Sequence, residues 1–256
     1  MMIGVIVAMQ KEFDCISGLV QIKSSSIINN REFFYGTLPG SDNYIVCAVS
    51  GIGKVNAAVT AMTMIKGYQV DYIISTGCCG GLNPDSQKVG DILVGTSYRY
   101  HDVYCGSMSE YGQIPGKPQW YDINPELLDQ FRFVNEKYMS RLHYGMMVTG
   151  DRFIDTEASR LEIKNHFPIA EGCEMESTAI AQVCFEFNKP FAAFRVISDV
   201  PGGDSAADHM KKYDNFWDTM AGASYEFTRD YLCSFPKCHH SLKEKILAGS
   251  SDDSKK

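Results

Sequence analysis

The sequence predicts a three-layer α/β sandwich, because short apolar runs rich in Val and Ile alternate with helix-forming stretches, and Gly, Asn and Pro punctuate the junctions. The chain opens on IGVIVAM, a strand pattern, and passes into a polar helix start at QKEFDCISGLV. REFFYGTL and NYIVCAVS follow as strands. After the turn SGIG comes KVNAAVTAMTMIKGY, a good helix former that ends at Gly67. DYIISTG reads as a buried strand running into the glycine turn TGCCGG, and VGDILVGTSYRY as another strand. Residues 101–122 carry turn residues and aromatics with no period, which predicts a long loop of the functional or interfacial kind. Then come a helix from about Pro125, the strand YGMMVTG, a short helix after Asp155 and a strand ending at GCEM. The helix ESTAIAQVCFEF, the strand FAAFRVISD and an amphipathic helix to about residue 233 complete the series. No repeat or linker divides it, so residues 1–233 are expected to form a single domain, with 234–256 a disordered polar tail.

Composition narrows the class of partner. With 45% hydrophobic residues in 256, the chain can bury roughly 70–75% of the surface its unfolded form exposes. The net charge of −7 argues against a nucleic-acid backbone, whose binding rests on Lys and Arg neutralising phosphates. A small molecule is the expected ligand. No run approaches the ~20 apolar residues that span a bilayer, and the N-terminal apolar run is too short for a signal peptide, so no membrane association is expected. Nine cysteines, scattered singly through apolar strands apart from adjacent Cys78 and Cys79, form no disulfide framework and suit a reducing cytoplasm. Cys233, Cys238, His239 and His240 match no tetrahedral zinc spacing.

Ligands of open α/β sheets bind beyond the carboxyl ends of strands, which directs attention to five places. These are Met9 to Glu12, Ser50 to Lys54, Thr76 to Gly81, Cys173 to Glu176, and Ser198 with Asp199. SGIGK and TGCCGG read alone as tight turns, although glycine there would let backbone N–H groups approach a ligand. Glu174 and Glu176 flank Met175 where a strand yields to a helix. In extended geometry their carboxylates share a face, with Met175 on the other, an arrangement that suits a sugar diol. The same acids would also serve a helix macrodipole. Arg195, inside an apolar strand, requires a carboxylate partner. Asp199 can exchange a proton with a ligand nitrogen or simply begin a turn, and Glu12 can be a first-turn helix acid.

The joint pattern resembles the 5′-methylthioadenosine/S-adenosylhomocysteine nucleosidases of the nucleoside phosphorylase superfamily over about residues 2–233. IGVIVAMQKE, VSGIGKVNAA, STGCCGGL with KVGDILV, RYHDV, EYGQIPGKP, VTGDRFI, CEMESTAIAQVC and FRVISD carry the resemblance, in the family's order. It implies a catalytic domain with a central mixed β-sheet flanked by helices, nucleoside phosphorylase-like, and hydrolysis, without cofactor or metal, of 5′-methylthioadenosine and/or S-adenosylhomocysteine to adenine and the free 5′-thio-ribose, with a hydrolase for another purine nucleoside as an alternative. It implies that Glu12 activates the attacking water with Arg195 nearby. It places Asp199, beside Ser198, on purine N7, and Met175 with an ionised Glu176 on the ribose. Phe153 would stack on the base while the backbone at Ile154 reads its edge, and Met9, Ile52, Cys78 and Glu174 would complete the substrate site.

The sequence departs from the family's pattern in three places. Cys78 stands where a serine is usual, Ser107, Met108 and Ser109 replace an aromatic offered to the neighbouring subunit, and the segment after Asp199 is longer. Tyr213 is the match for the aromatic that closes the site. The resemblance also implies a homodimer, the 101–122 loop with Tyr104 and Pro115 reaching the partner's site. A phosphorylase of the superfamily is the rival reading, but it needs an arginine after the first strand, where AMQKE offers a carboxylate and only Lys11. A non-catalytic nucleoside binder would be expected to lack Glu12 or Asp199.

Overall fold

A computed structural model describes residues 1–41, 43–200 and 206–235. The strands are β1 (Met2–Val7), β2 (Gln21–Ile28), β3 (Arg31–Thr37), β4 (Tyr44–Val49), β5 (Tyr72–Ser75) and β6 (Cys78–Gly81). They continue with β7 (Ile92–Tyr100), β8 (Tyr121–Asp122), β9 (Leu142–Thr149), β10 (Ala170–Glu174) and β11 (Phe191–Asp199). The helices are α1 (Gln10–Ile16), α2 (Lys54–Gly67), α3 (Pro125–Gln130), α4 (Arg132–Tyr138), α5 (Glu157–His166), α6 (Ser177–Glu186) and α7 (Ala206–Cys233).

Among the described residues the strands form one mixed sheet in the order β2-β3-β4-β1-β5-β11-β6-β10-β9-β7-β8. Strand β11 is the hinge of this arrangement. Its first residues pair with β5 in parallel, its last with β6 in parallel, and Phe194 to Val196 pair antiparallel with β7. Because β7 is also joined through β9 and β10 to β6, that half of the sheet curls closed on itself. Helices α2 and α6 pack together, and α1 packs on α7. All nine residues of β11 and all six of β1 are buried, which is why their sequences are nearly continuous apolar runs.

The structure corrects several sequence expectations. Strand β2 is almost wholly exposed, and QIKSSSII lacks the alternation that would have marked it. TGCCGG is no free turn, since Cys78–Gly81 is a strand inserted between β10 and β11. The helix from Pro125 is two helices meeting at Phe131, with Asn124 capping the first. The 101–122 segment is a loop, interrupted by a 3-10 turn at Gly106–Met108 and closed by β8. The segment 201–205 and most of the expected tail lie outside the described residues, as do Cys238, His239 and His240.

Phe131 locks α7 onto the sheet. Its ring stacks on Tyr231 at 4.0 Å and meets Phe194 of β11 edge-on at 5.8 Å, all in the core. Phe131→Ala is expected to cost about 3–5 kcal/mol, the usual range for deleting a buried aromatic ring, read as a lower midpoint in urea denaturation.

Candidate active site

The carboxyl ends of β1, β10 and β11 converge on one cavity, with β6 contributing Cys78, Cys79 and Gly80. Beyond β1 the chain turns into α1, whose Glu12 is only 6% exposed. Its Oε2 accepts the backbone N–H groups of Ala8 (2.8 Å) and Met9 (3.0 Å), and its Oε1 accepts that of Cys78 (2.9 Å). Three donors from two strand ends hold this carboxylate at the cavity wall. Gly77 makes the approach possible: at φ +149°, a Cβ added there would lie 2.2 Å from Glu12 Oε1.

At the end of β10 the two glutamates separate. Glu174 turns inward, its Oε2 accepting the N–H groups of Glu176 (2.9 Å) and Ser177 (2.7 Å) and pairing with the Arg195 guanidinium at 3.1 Å. Its other oxygen accepts the Thr149 hydroxyl. Arg195 also donates to Ser75 Oγ (2.9 Å) and Ser177 Oγ (3.1 Å). The side chains of Arg195 and Glu174 are 3% and 2% exposed. Burial pulls the Arg195 pKa down, but the carboxylates of Glu174, Glu12 and Glu176 outweigh it and the net shift is upward. Arg195 therefore stands behind the cavity rather than on it, and Glu174 is the acid that serves the N-terminus of α6.

Glu176 is the acid that faces the ligand space. The strand ends at Glu174, so the alternation assumed for Glu174, Met175 and Glu176 breaks down, and all three residues line the cavity, Glu174 with its carboxylate already engaged. The Gly53 N–H donates to Glu176 Oε1 at 2.8 Å. Burial first, then the Glu174 carboxylate, push the Glu176 pKa up to about 8, against the pull of Arg195 and the Gly53 N–H. Burial and the neighbouring acid thus hold this carboxyl group toward its neutral form in the ligand-free site. The helix-end N–H groups that would have stabilised its charge are taken by Glu174.

Asp199, 2% exposed, closes β11 on the same cavity. The Ser198 hydroxyl lies between the Cys79 carbonyl, 3.1 Å away, and the Asp199 carboxylate, to which it donates. One wall is aromatic and apolar: Phe153 meets Tyr213 edge-on at 5.7 Å, the Tyr213 hydroxyl lies 3.5 Å from Met9 Sδ, and Ile52 and Ile154 flank them. Cys78 reaches the cavity too, its thiol pKa pushed well up by burial and then by Glu12. It serves Glu12 through its backbone, which a change from hydroxyl to thiol leaves intact.

Cys79, Gly80 and Cys173, inside the strand ends marked out in the sequence, line the cavity, and so do Ala8 and Arg152, which were not singled out. Each adjoins a residue that was, and small residues at strand ends were the available signal. Tyr104 and Pro115 are exposed on the 101–122 loop and do not line this chain's cavity. Among the described residues no group of three or more His, Cys, Asp or Glu side chains could hold a metal ion.

Such a site offers a clamped base, a carboxyl group that changes charge near neutrality, and an acid coupled to a hydroxyl, all against a wall suited to a flat ring. The chain matches the phosphorylase superfamily over residues 2–232. It is 37% identical over 205 residues to a 5′-methylthioadenosine/S-adenosylhomocysteine nucleosidase of Staphylococcus aureus strain JH9, covering 80% of this chain and 89% of the relative. The S-adenosylhomocysteine nucleosidase of Streptococcus pyogenes, solved with 5-methylthiotubericidin, superposes with a TM-score of 0.85 at 27% identity, over 92% of this chain and 98% of that one. The 5′-methylthioadenosine/S-adenosylhomocysteine nucleosidase of Neisseria meningitidis, solved with methylthio-immucillin-A, gives 0.83 at 32% identity, over 91% and 99%.

The buried pair behind the cavity has a measurable consequence. Arg195→Met strands the Glu174 carboxylate without its counter-charge and is expected to destabilise the protein by about 3–5 kcal/mol in chemical denaturation.

Proposed function

Because the chain belongs to the 5′-methylthioadenosine/S-adenosylhomocysteine nucleosidases of the phosphorylase superfamily, we propose that it hydrolyses the N-glycosidic bond of 5′-methylthioadenosine and S-adenosylhomocysteine, releasing adenine and the free 5′-thio-ribose. The observation that carries the choice of water as nucleophile is the Glu12 clamp. A carboxylate fixed by three N–H groups repels phosphate and orients a base toward water. Among the described lining residues the sole cationic side chain is Arg152, and it is already paired with Glu162 at 2.9 Å.

The steps follow from where charge develops. Glycosidic cleavage builds positive charge on the ribosyl ring and negative charge on the departing base. Asp199, coupled to the Ser198 hydroxyl, assists protonation at purine N7, so that the electrons of the breaking C1′–N9 bond are received by a near-neutral base. Glu12 accepts a proton from water as its oxygen bonds to C1′. Glu176 takes the ribose hydroxyls and, once ionised, adds negative charge beside the developing cation. Phe153 covers the purine, the backbone at Ile154 reads its edge, and Met9, Ile52, Met175 and Tyr213 supply apolar contact for the sugar and its thioether. Arg195 acts from behind, through Glu174.

The same reading extends to assembly and setting. Residues 1–233 act as one catalytic domain, with 234–256 a tail. Two copies form a homodimer in which Tyr104 and Pro115 of one approach the other's site. Support comes from the exposure of Tyr104 and Met108, each 73%, and from exposed Val55 and Met62 on α2. The cytoplasm is the compartment, in keeping with the unpaired thiols of the described cysteines. Among the described residues no helix is long and apolar enough to cross a membrane.

Two measurements test this. Glu12→Gln is expected to lower turnover of methylthioadenosine by about 10²–10⁴-fold while sparing binding, with free sugar as the parental product in the absence of phosphate. A strict phosphate requirement with sugar 1-phosphate as product overturns hydrolysis. The second concerns pH. Glu176 holds a proton below about 8 in the free site, and ribose hydroxyls donating to it favour the ionised form. Binding to the Glu12→Gln variant should therefore weaken by up to about tenfold per pH unit below that point, level off above it, and release a proton at pH 7. Calorimetry in buffers of different ionisation enthalpy reads this directly, and Glu176→Gln should abolish it.

A further inference from the structure

The turn that presents Gly53 to Glu176 is held by an ionic bridge outside the cavity. Lys54 Nζ lies 2.7 Å from Asp102 Oδ2 and 3.7 Å from Asp151 Oδ2. The same Asp102 Oδ2 accepts the Asp151 N–H at 2.8 Å, and Asp151 Oδ1 accepts the Lys54 N–H, also at 2.8 Å. Three segments distant in sequence thus meet: the N-terminus of α2, the residue after His101 at the end of β7, and the turn after β9 that leads to Phe153. The backbone leaves little freedom at the meeting point. Gly53 has φ +98°, and a Cβ there would sit 3.0 Å from Asp151 Oδ1. On its other side the turn is pinned by Asn56, which donates to the Ile52 carbonyl (2.7 Å) and accepts from Arg31 (2.6 Å).

We propose that Lys54, Asp102 and Asp151 are positioning residues for the reaction, a latch that holds the Gly53 N–H on the Glu176 carboxyl and so sets where the ribose is bound. The inference rests on reading Glu176 as the ribose-binding acid. Lys54, Asp102 and Asp151 do not line the cavity, so the latch acts on Glu176 through the backbone of the 50–53 turn, while its Asp151 arm also holds the turn that leads to Phe153. The other charged groups facing Glu176 are Glu174 on β10, Arg195 on β11 and Glu12 on α1, and the latch leaves all three in place. Freed of the latch, the Gly53 N–H no longer favours the ionised carboxylate, and the proton is held to higher pH.

The direction of change separates a latch from simple electrostatics. Lys54→Met removes a positive charge and Asp102→Asn a negative one, so through-space effects on Glu176 would have opposite signs. A latch gives the same sign for both. The experiment measures methylthioadenosine kcat and KM from pH 6 to 10 for the full chain and for Lys54→Met, Asp102→Asn, Asp151→Asn and Lys54→Arg, with circular dichroism melting of each. The expected result is an upward move of the KM breakpoint by roughly one pH unit in the first three, the scale of losing one hydrogen bond to a charged group. KM at pH 7 rises several-fold with kcat within about twofold, and Lys54→Arg recovers most of the parental profile. Breakpoints that move in opposite directions, or stay fixed in any two folded variants, overturn the latch. A breakpoint that survives Glu176→Gln belongs to another group, and then the ribose assignment fails and takes the latch with it.

Discussion

The site depends on the buried contact between Arg195 and Glu174. Arg195 is rooted in the strand that joins the two halves of the sheet, and its guanidinium also reaches Ser75 at the end of β5 and Ser177 in the first turn of α6. One side chain therefore fixes the relative positions of β5, β10, β11 and α6. Desolvating two charges is costly, and the hydrogen bonds from Thr149, Glu176 and Ser177 to Glu174 are what make the arrangement tolerable. With Glu174 so occupied, the next acid along the chain is left with burial and no helix-end donors. The raised pKa of Glu176 owes its second cause, after burial, to the Glu174 carboxylate in the joint behind it.

Four acids within a few residues of strand ends thus acquire four different characters from their surroundings. Glu12 is surrounded by backbone donors, Glu174 by a cation and donors, Asp199 by a hydroxyl, and Glu176 by another acid and an isolated N–H. Glycine matters twice here: a side chain at Gly77 would occupy the space of the Glu12 carboxylate oxygen, and Gly53, at φ +98°, turns its N–H onto Glu176. Substitution at Gly77 is then equivalent to displacing Glu12, although position 77 contributes no functional group.

Strands buried on both faces were legible in the amino acids because burial leaves an apolar run, as in β1 and β11. Strand β6 was not, since its four residues, CCGG, read as a turn until neighbours on both sides are known. The acids at strand ends were visible as candidates, but Glu174 and Glu176 could not be told apart. Spacing gives a shared face only while the strand stays extended, and the chain bends at Met175. Arg195 announced its need for a partner without naming it. The Lys54, Asp102 and Asp151 contacts were invisible for a plainer reason: they join positions 48, 49 and 97 residues apart, and nothing local marks a long-range ion pair.

The polar strand that escaped a sequence reading has its own use. β2 lies at one margin of the sheet with its backbone edge turned away from β3, and Lys23 and three serines run along it. At the opposite margin β8 is two residues long. A long apolar margin would be a template onto which strands of other chains could add, whereas a charged and serine-rich one, or a very short one, is a poor template. The feature that hides β2 from pattern recognition is the same one that makes this margin of a wide, partly closed sheet a poor template for edge-to-edge growth.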